Sequence, residues 1–392
     1  MLARPEMPRA QADALPLALC ICGTTDLTLW GSNLAERLKR QFAQAGIKIV
    51  VSEAEASGRN GAVVFVRADA IIDPPLIALL RDRPGLMLMS EGFGESQPLA
   101  IHAGPGAAAS AIGNLTGRSD GSFSASTPSA LKADFWKALR KRETPYAIRG
   151  EQQRLDKIAW RMFMGTYKGA TDVVTKHLWP VPAFYTTRFL APLGVTPNMV
   201  TLVATALVFI VFWLFLQGHY GWGLAGAWLM TFLDTVDGKL ARTTLTSSKW
   251  GDILDHGIDL IHPPFWYAAW ALGLATIGIT WSSETFWIVM IAILGGYVLQ
   301  RVMEGIAIKW LGLEIHIWRP IDTLFRQITA RRNPNLIILT ASVILGRPDL
   351  GLIAVAVWTV LCLLLHGLQL AQAFAAKRRL GRLDSWMTQS AP

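Results

Sequence analysis

The sequence predicts a two-part chain: an α/β N-terminal soluble domain followed by an all-α bundle of six transmembrane helices. Three observations predict it. Short apolar runs alternate with a capped amphipathic segment over the first ninety residues. Apolar runs near the ~20 residues that a membrane span needs fill the second half. Across all 392 residues, 52% are hydrophobic, only 17% are charged, and 16 are Trp. That balance excludes a disordered chain and points to a membrane protein. The net charge of +9 is modest. In such a chain, excess Lys and Arg marks topology rather than nucleic acid, so no nucleic-acid partner is expected.

The first domain is expected over residues 1–125. Leu17–Cys22, Ile47–Val51 and Ala62–Val66 read as buried strands, and Leu86–Met89 as a fourth. Between the first two, Asn33 is a good N-cap, Leu34, Leu38 and Phe42 form an apolar stripe, and Gly46 is a good stop. Asp73-Pro74-Pro75 opens a second helix through Leu80. This alternation predicts a parallel α/β sheet. Residues 104–129, rich in Gly, Ala and Ser, read as loop. Linker and amphipathic helices are expected over 126–167, in Lys132–Arg142 and Glu151–Tyr167. Cys20, Cys22 and Cys362 read as reduced packing residues. The opening M-L-A-R-P-E-M-P-R-A has no long apolar core, so no secretory signal is expected.

The membrane domain is expected over 168–392. Lys168–Pro192 is too polar to span and reads as an interfacial helix. Spans follow at Met199–Leu216, Trp222–Leu240, Ile253–Ile277, Phe286–Trp310, Leu336–Leu345 and Leu352–Ala375. The connections near His219, Ser282 and Arg347 carry a single Lys or Arg. The other side carries Lys239, Arg242, Lys249, Arg319, Arg326, Arg331, Arg332 and a basic tail. Both termini are therefore expected in the cytoplasm, in the inner or plasma membrane if the source is bacterial.

Asp234, Asp237, Gly238 and Ala241 fall at i, i+3, i+4 and i+7, one helical face, with Arg242 one step round. Gly251, Asp255 and Asp259 fall at i, i+4 and i+8. Ser247, Ser248 and Lys249 form a polar turn between the two sets. Charges near a span cost ~2.5–3.5 kcal/mol each at a helix centre. Four Asp on adjacent spans therefore need a reason, and hard Mg²⁺ or Mn²⁺ supplies one. Paired metals on shared carboxylates suit displacement at phosphorus. Gly238 and Gly251 let a nucleotide approach the backbone, and Arg242 suits a phosphate. Arg188, Arg301, Arg331 and Arg332 are candidate contacts for the phosphate of an acceptor. Glu304, one turn from Arg301, is its candidate partner. His256, at a variable position, reads as a packing or supporting residue.

The run D-x2-D-G-x2-A-R-x8-G-x3-D-x3-D resembles the signature of the CDP-alcohol phosphotransferases at every position: Asp234, Asp237, Gly238, Ala241, Arg242, Gly251, Asp255 and Asp259. The resemblance implies a two-metal site on Asp234, Asp237, Asp255 and Asp259, with Asp259 also serving as general base. It implies that Gly238, Ala241, Arg242 and Gly251 line the CDP of a CDP-linked alcohol. It implies transfer to an alcohol or phospho-alcohol, release of CMP, and a homodimer. The T-P-N-M-V-T run, Thr196–Thr201, resembles the start of that family's first transmembrane helix.

The first domain resembles a sugar-nucleotide type of nucleotidyltransferase, a Rossmann-like fold. The resemblance rests on the first strand, the A-G-I turn at Ala45–Ile47 and Asp69. The loop C-G-T-T-D-L-T-L-W-G-S-N lacks that family's basic residue and most of its glycines, so the domain is expected to be inactive. Three other readings stand beside the main one. They are a bifunctional inositol-phosphate cytidylyltransferase/phosphotransferase, an intramembrane prenyltransferase, and a non-catalytic membrane scaffold.

Overall fold

The computed structural model describes residues 15–132 and 135–388, without the side chains of Lys137, Lys249, Asp252 and Asp255. The stretch read as lacking a secretory signal lies outside the described residues. The chain divides into two compact units, 1–136 with 143–165, and 137–142 with 166–392.

The first unit is built on a six-stranded sheet. Its strands are β1 (Ala18–Cys22), β2 (Ile49–Val51), β3 (Val63–Arg67), β4 (Leu86–Met89), β5 (Pro98–Ala103) and β6 (Ser124–Ser126), in the order β2-β1-β3-β5-β4-β6. β1 pairs parallel with β2 and β3, and β4 with β6. β5 runs antiparallel between β3 and β4. The sheet is therefore mixed where alternation predicted a parallel one. The link from β4 to β5 is too short for a crossover, which needs a dozen residues or more. It closes as a turn, with Ser90 N–H donating to Gln97 O at 2.8 Å and Gln97 N–H donating to Ser90 Oγ at 2.9 Å.

Helix α1 (Leu34–Gln44) begins at Asn33, whose side chain accepts from Ala35 N–H at 2.9 Å. Leu34, Leu38 and Phe42 are buried, as the stripe predicted. α2 (Glu53–Gly58) starts with a reciprocal Ser52–Glu55 cap. α3 (Pro74–Asp82) follows Asp73. The stretch 104–129, expected as a loop, instead holds α4 (Ala108–Leu115) and β6. Ala108, Ala111 and Leu115 bury there against β1, β3 and β5. Alanine is both a strong helix former and small enough to pack on a sheet, so composition misled. Lys132–Arg142 forms no α-helix among its described residues. Arg140 sits at φ 48°, which a helix does not accept. α5 (Leu155–Gly165) does form and packs inside the first unit, with Trp30 stacked on Phe163.

The second unit is helical. α6 (Pro180–Leu190) stands where an interfacial helix was expected. α7 (Pro197–Leu216), α8 (Tyr220–Thr244), α9 (Lys249–Gly273), α10 (Ser283–Leu311), α11 (Pro320–Phe325), α12 (Arg332–Ile344) and α13 (Pro348–Leu380) follow. Among the described residues, three of these, α7, α10 and α13, are long and apolar enough to cross a membrane. α8 and α9 interrupt their apolar runs with the Asp residues, and α12 has only 13 residues. The core lies between α7, α8 and α9, where Phe215, Tyr220 and Trp270 are buried against one another. Cys20, Cys22 and Cys362 are all free thiols, as expected.

Candidate active site

Three helix starts aim the site. α7 begins at Thr196, whose Oγ1 accepts from Met199 N–H at 3.3 Å, with Pro197 in the first turn. α8 stops at Leu245, which adopts the left-handed conformation. α9 then begins at Ser248, whose Oγ accepts from Gly251 N–H at 3.0 Å. This turn carries the two motif halves onto separate helices.

Arg332, at the start of α12, joins them. Its Nη1 donates to Asp259 Oδ1 at 2.5 Å and its Nη2 to Asp234 Oδ2 at 2.6 Å. The Arg332 and Asp234 side chains are 14% and 17% exposed, so water screens this pair little. Asp237 is buried, and its Oδ2 accepts from Thr201 Oγ1 on α7 at 2.6 Å. Its Oδ1 is buried with no hydrogen-bond partner among the described residues. A buried carboxylate oxygen held open beside two further carboxylate-bearing turns fits an oxygen-seeking divalent cation. Asp255 lies one turn before Asp259 on α9, and its side chain is outside the described residues.

The glycines make room. A Cβ on Gly251 would come within 2.6 Å of Asn198 Oδ1 and 2.9 Å of Ser248 Oγ. A Cβ on Gly238 would meet Arg242 Nη2 at 2.9 Å, so the guanidinium lies across the glycine. Lys239 Nζ sits 3.0 Å from the centre of the Tyr167 ring and donates to Thr166 O at 3.2 Å. His256 is exposed.

The four arginines offered as phosphate contacts separate. Arg332 belongs to the Asp cluster. Arg188 is on α6, with its guanidinium over Phe184. Arg301 and Arg331 meet at Glu304. Arg301 Nη1 donates to Glu304 Oε2 at 3.0 Å, and Arg331 Nη2 donates to Oε1. His316 Nε2–H donates to the same Oε1 at 3.0 Å. Burial pushes His316 down to about 3, with Glu304 opposing, so its ring is neutral. Burial first, then Arg331, push the Arg326 guanidinium well below its ordinary value. Ligand atoms of Glu304, His316 and His366 lie within 4.8 Å of one another. Thr201, Asn198, His316, Arg326 and His366 are absent from the sequence-based set. Thr201 and Asn198 stand in the T-P-N-M-V-T run that marked the start of α7, and that was their only signal.

In the first unit, Asp69 is bound by two guanidiniums. Arg67 donates to both its oxygens at 2.9 Å and Arg149 donates to Oδ2 at 3.0 Å. Burial raises the carboxyl, but the two arginines outweigh it and hold it below the usual range. This is a structural ion pair, not an open metal ligand.

The helical unit thus gathers carboxylates from two helices on one arginine. Residues 194–330 match the family model for CDP-alcohol phosphatidyltransferase. The chain is 35% identical over 111 residues to a phosphatidylinositol phosphate synthase of Streptomyces avermitilis, covering 28% of this chain and 43% of that protein. It is 34% identical over 116 residues to an archaetidylinositol phosphate synthase of Pyrococcus horikoshii, covering 29% and 56%. A phosphatidylinositol phosphate synthase of Mycobacteroides abscessus is 32% identical over 95 residues, covering 24% and 39%. The chain thus spans about half the length, or less, of these relatives.

Proposed function

We propose that the chain moves a substituted phosphate from a CDP-linked alcohol to an acceptor hydroxyl and releases CMP. The observation that carries this is the complete motif, with Asp234 and Asp259 gathered on Arg332 and Asp237 buried with one open oxygen. Asp234, Asp237, Asp255 and Asp259 would hold Mg²⁺ or Mn²⁺, which when bound supplies charge neutralisation at the donor pyrophosphate. Gly238, Ala241, Arg242 and Gly251 line the CDP. Arg332 orients Asp259 through the Nη1–Oδ1 contact, the positioning a general base requires. The acceptor oxygen bonds to the phosphorus that carries the donor alcohol. The bond from that phosphorus to CMP breaks, and the acceptor proton passes to Asp259. The chain's contribution is positioning and fixed charge.

The acceptor in this reading is a phosphorylated alcohol, and the donor is CDP-diacylglycerol. The relatives' names contain a phosphorylated inositol lipid, and Arg301 and Arg331 form a basic group beside Glu304. The first unit serves as a scaffold or regulatory module, because Asp69 is taken by Arg67 and Arg149. The active site faces the cytoplasm, with both termini on that side, and the functional form is a homodimer; the charge asymmetry of the loops and the family resemblance support these points.

Purified protein incubated with CDP-diacylglycerol, Mn²⁺ and a panel of acceptors tests the reading by CMP release. The panel is inositol 1-phosphate, glycerol 3-phosphate, inositol and serine. Release with a phosphorylated acceptor is expected. No CMP with any of them would sink the proposal.

A further inference from the structure

Six buried nitrogens without a hydrogen-bond partner, among the described residues, gather around Glu304 rather than at the Asp cluster. They are Arg301 Nε, His316 Nδ1, Arg326 Nη1, Arg331 Nε, and both Nδ1 and Nε2 of His366. His366 is the extreme case. It is 2% exposed on α13, its ring is 5.2 Å from that of His316, and neither nitrogen is satisfied. Native structures rarely leave a buried imidazole this way unless a ligand, an ion or an ordered water completes it.

Charge decides which ligand fits. The guanidiniums of Arg301, Arg326 and Arg331 outnumber the two carboxylates that act on them, Glu304 and Asp172, and His316 is neutral, so the group carries excess positive charge. Two His and a Glu make a ligand set for zinc or iron. Such an ion would have to displace Arg331 from Glu304 Oε1 and then sit among three cations. A phosphate dianion bearing hydroxyls faces neither obstacle. The guanidiniums match its charge, and neutral imidazoles both donate to and accept from hydroxyls. An ammonium-bearing acceptor such as serine would be repelled.

The geometry points to His366, backed by His316, as an acceptor-binding residue that reads hydroxyls of a phosphorylated polyol. The inference rests on the reading that Arg301 and Arg331 hold the acceptor phosphate. Arg326 joins them as a third guanidinium. His366 then sets which phospho-alcohol is accepted, while the Asp cluster sets the chemistry.

Binding of inositol 1-phosphate and of inorganic phosphate to the full chain in nanodiscs tests it by calorimetry. His366→Leu is expected to weaken inositol 1-phosphate roughly tenfold and to leave inorganic phosphate within about twofold, because only the polyol loses a partner. His366→Asn, which keeps a donor and an acceptor, is expected to recover part of the loss and guards against misfolding. Arg331→Gln is expected to weaken both probes. If His366→Leu binds inositol 1-phosphate normally while Arg331→Gln loses both probes, the inference fails and the phosphate assignment stands. If Arg331→Gln binds both normally, the phosphate assignment fails first. Stoichiometric zinc or iron in the purified protein, lost in His366→Leu, would overturn the inference in favour of a metal site.

Discussion

Arg332 and Asp259 are held 2.5 Å apart although 73 positions separate them in the chain, and the same guanidinium reaches Asp234 at 2.6 Å. The start of α12 therefore closes a site whose other parts lie on α8 and α9. Replacing Arg332 with Gln leaves the shielded Asp234 and the more open Asp259 without their counter-charge. We expect kcat for CMP release to fall roughly 100-fold. Arg332→Lys should not restore it, since one ammonium cannot span two carboxylates as the planar fork does. Asp259→Asn should abolish turnover while CDP binding, followed by calorimetry, persists. Unchanged turnover in that variant would remove Asp259 from the chemistry.

Thr201 supports Asp237 from a third helix. Its hydroxyl donates to Oδ2 and leaves Oδ1 open. Such supporting partners typically change metal affinity by about 10–100-fold when lost. Thr201→Val should raise the Mn²⁺ concentration needed for half-maximal CMP release by that order, with near-normal turnover at excess Mn²⁺. A variant that needs no extra Mn²⁺ would show that Asp237 orients itself without Thr201.

That Asp234 and Asp259 come together was legible because it follows from spacing along two helices, and helical spacing is local. The supports around them were not. Arg332 read as a phosphate contact because a lone Arg in a basic loop carries no sign of which carboxylate it will meet 98 positions away. Thr201 and Asn198 were visible only as the start of α7. His366 sits in an apolar run whose periodicity says nothing about a polar neighbour. In the first unit, the stripe and caps of α1 were readable, but the antiparallel β5 was not. Its direction follows from the length of the turn after β4, and the alternation of elements favoured the opposite answer. The alanines of α4 read as linker because composition does not distinguish a flexible segment from a small-residue helix packed on a sheet.

His102 makes the first unit sensitive to mild acid. It is 3% exposed on β5, and its Nδ1–H donates to Leu80 O at 2.7 Å. Burial lowers its proton affinity, with the Leu80 bond opposing. Unfolded histidine titrates near 6.5, roughly. Below that pH the unfolded chain binds the extra proton before the folded one does, so stability falls as pH drops from about 6.5 toward the lower folded value. Asp69, also depressed, acts only below its unfolded value near 3.9, roughly, and is separable. Hydrogen exchange of peptides covering β5, corrected for intrinsic rates, should show protection falling between pH 7 and 5.5. In His102→Gln that slope should flatten. An identical slope in the variant would place the titrating group elsewhere.

Gly251 and Gly257 lie on the same helix but differ in what surrounds them, which makes a matched pair. A Cβ on Gly251 would lie 2.6 Å from Asn198 Oδ1 and 2.9 Å from Ser248 Oγ, whereas a Cβ on Gly257 meets nothing within 4 Å. Ser248 is also the cap that binds Gly251 N–H. The alanine must therefore push out the cap, at about 1 kcal/mol, or shift the start of α9 away from α7. Either change alters the surface on which the nucleotide is expected to lie. Gly251→Ala should raise KM for the CDP-linked donor by roughly tenfold, more than it lowers kcat, which is the pattern of lost binding rather than lost chemistry. Gly257→Ala should leave both constants within about twofold, because in open space the change adds only a good helix former. Equal effects from the two substitutions would mean that the crowding at Asn198 and Ser248 does not govern donor binding.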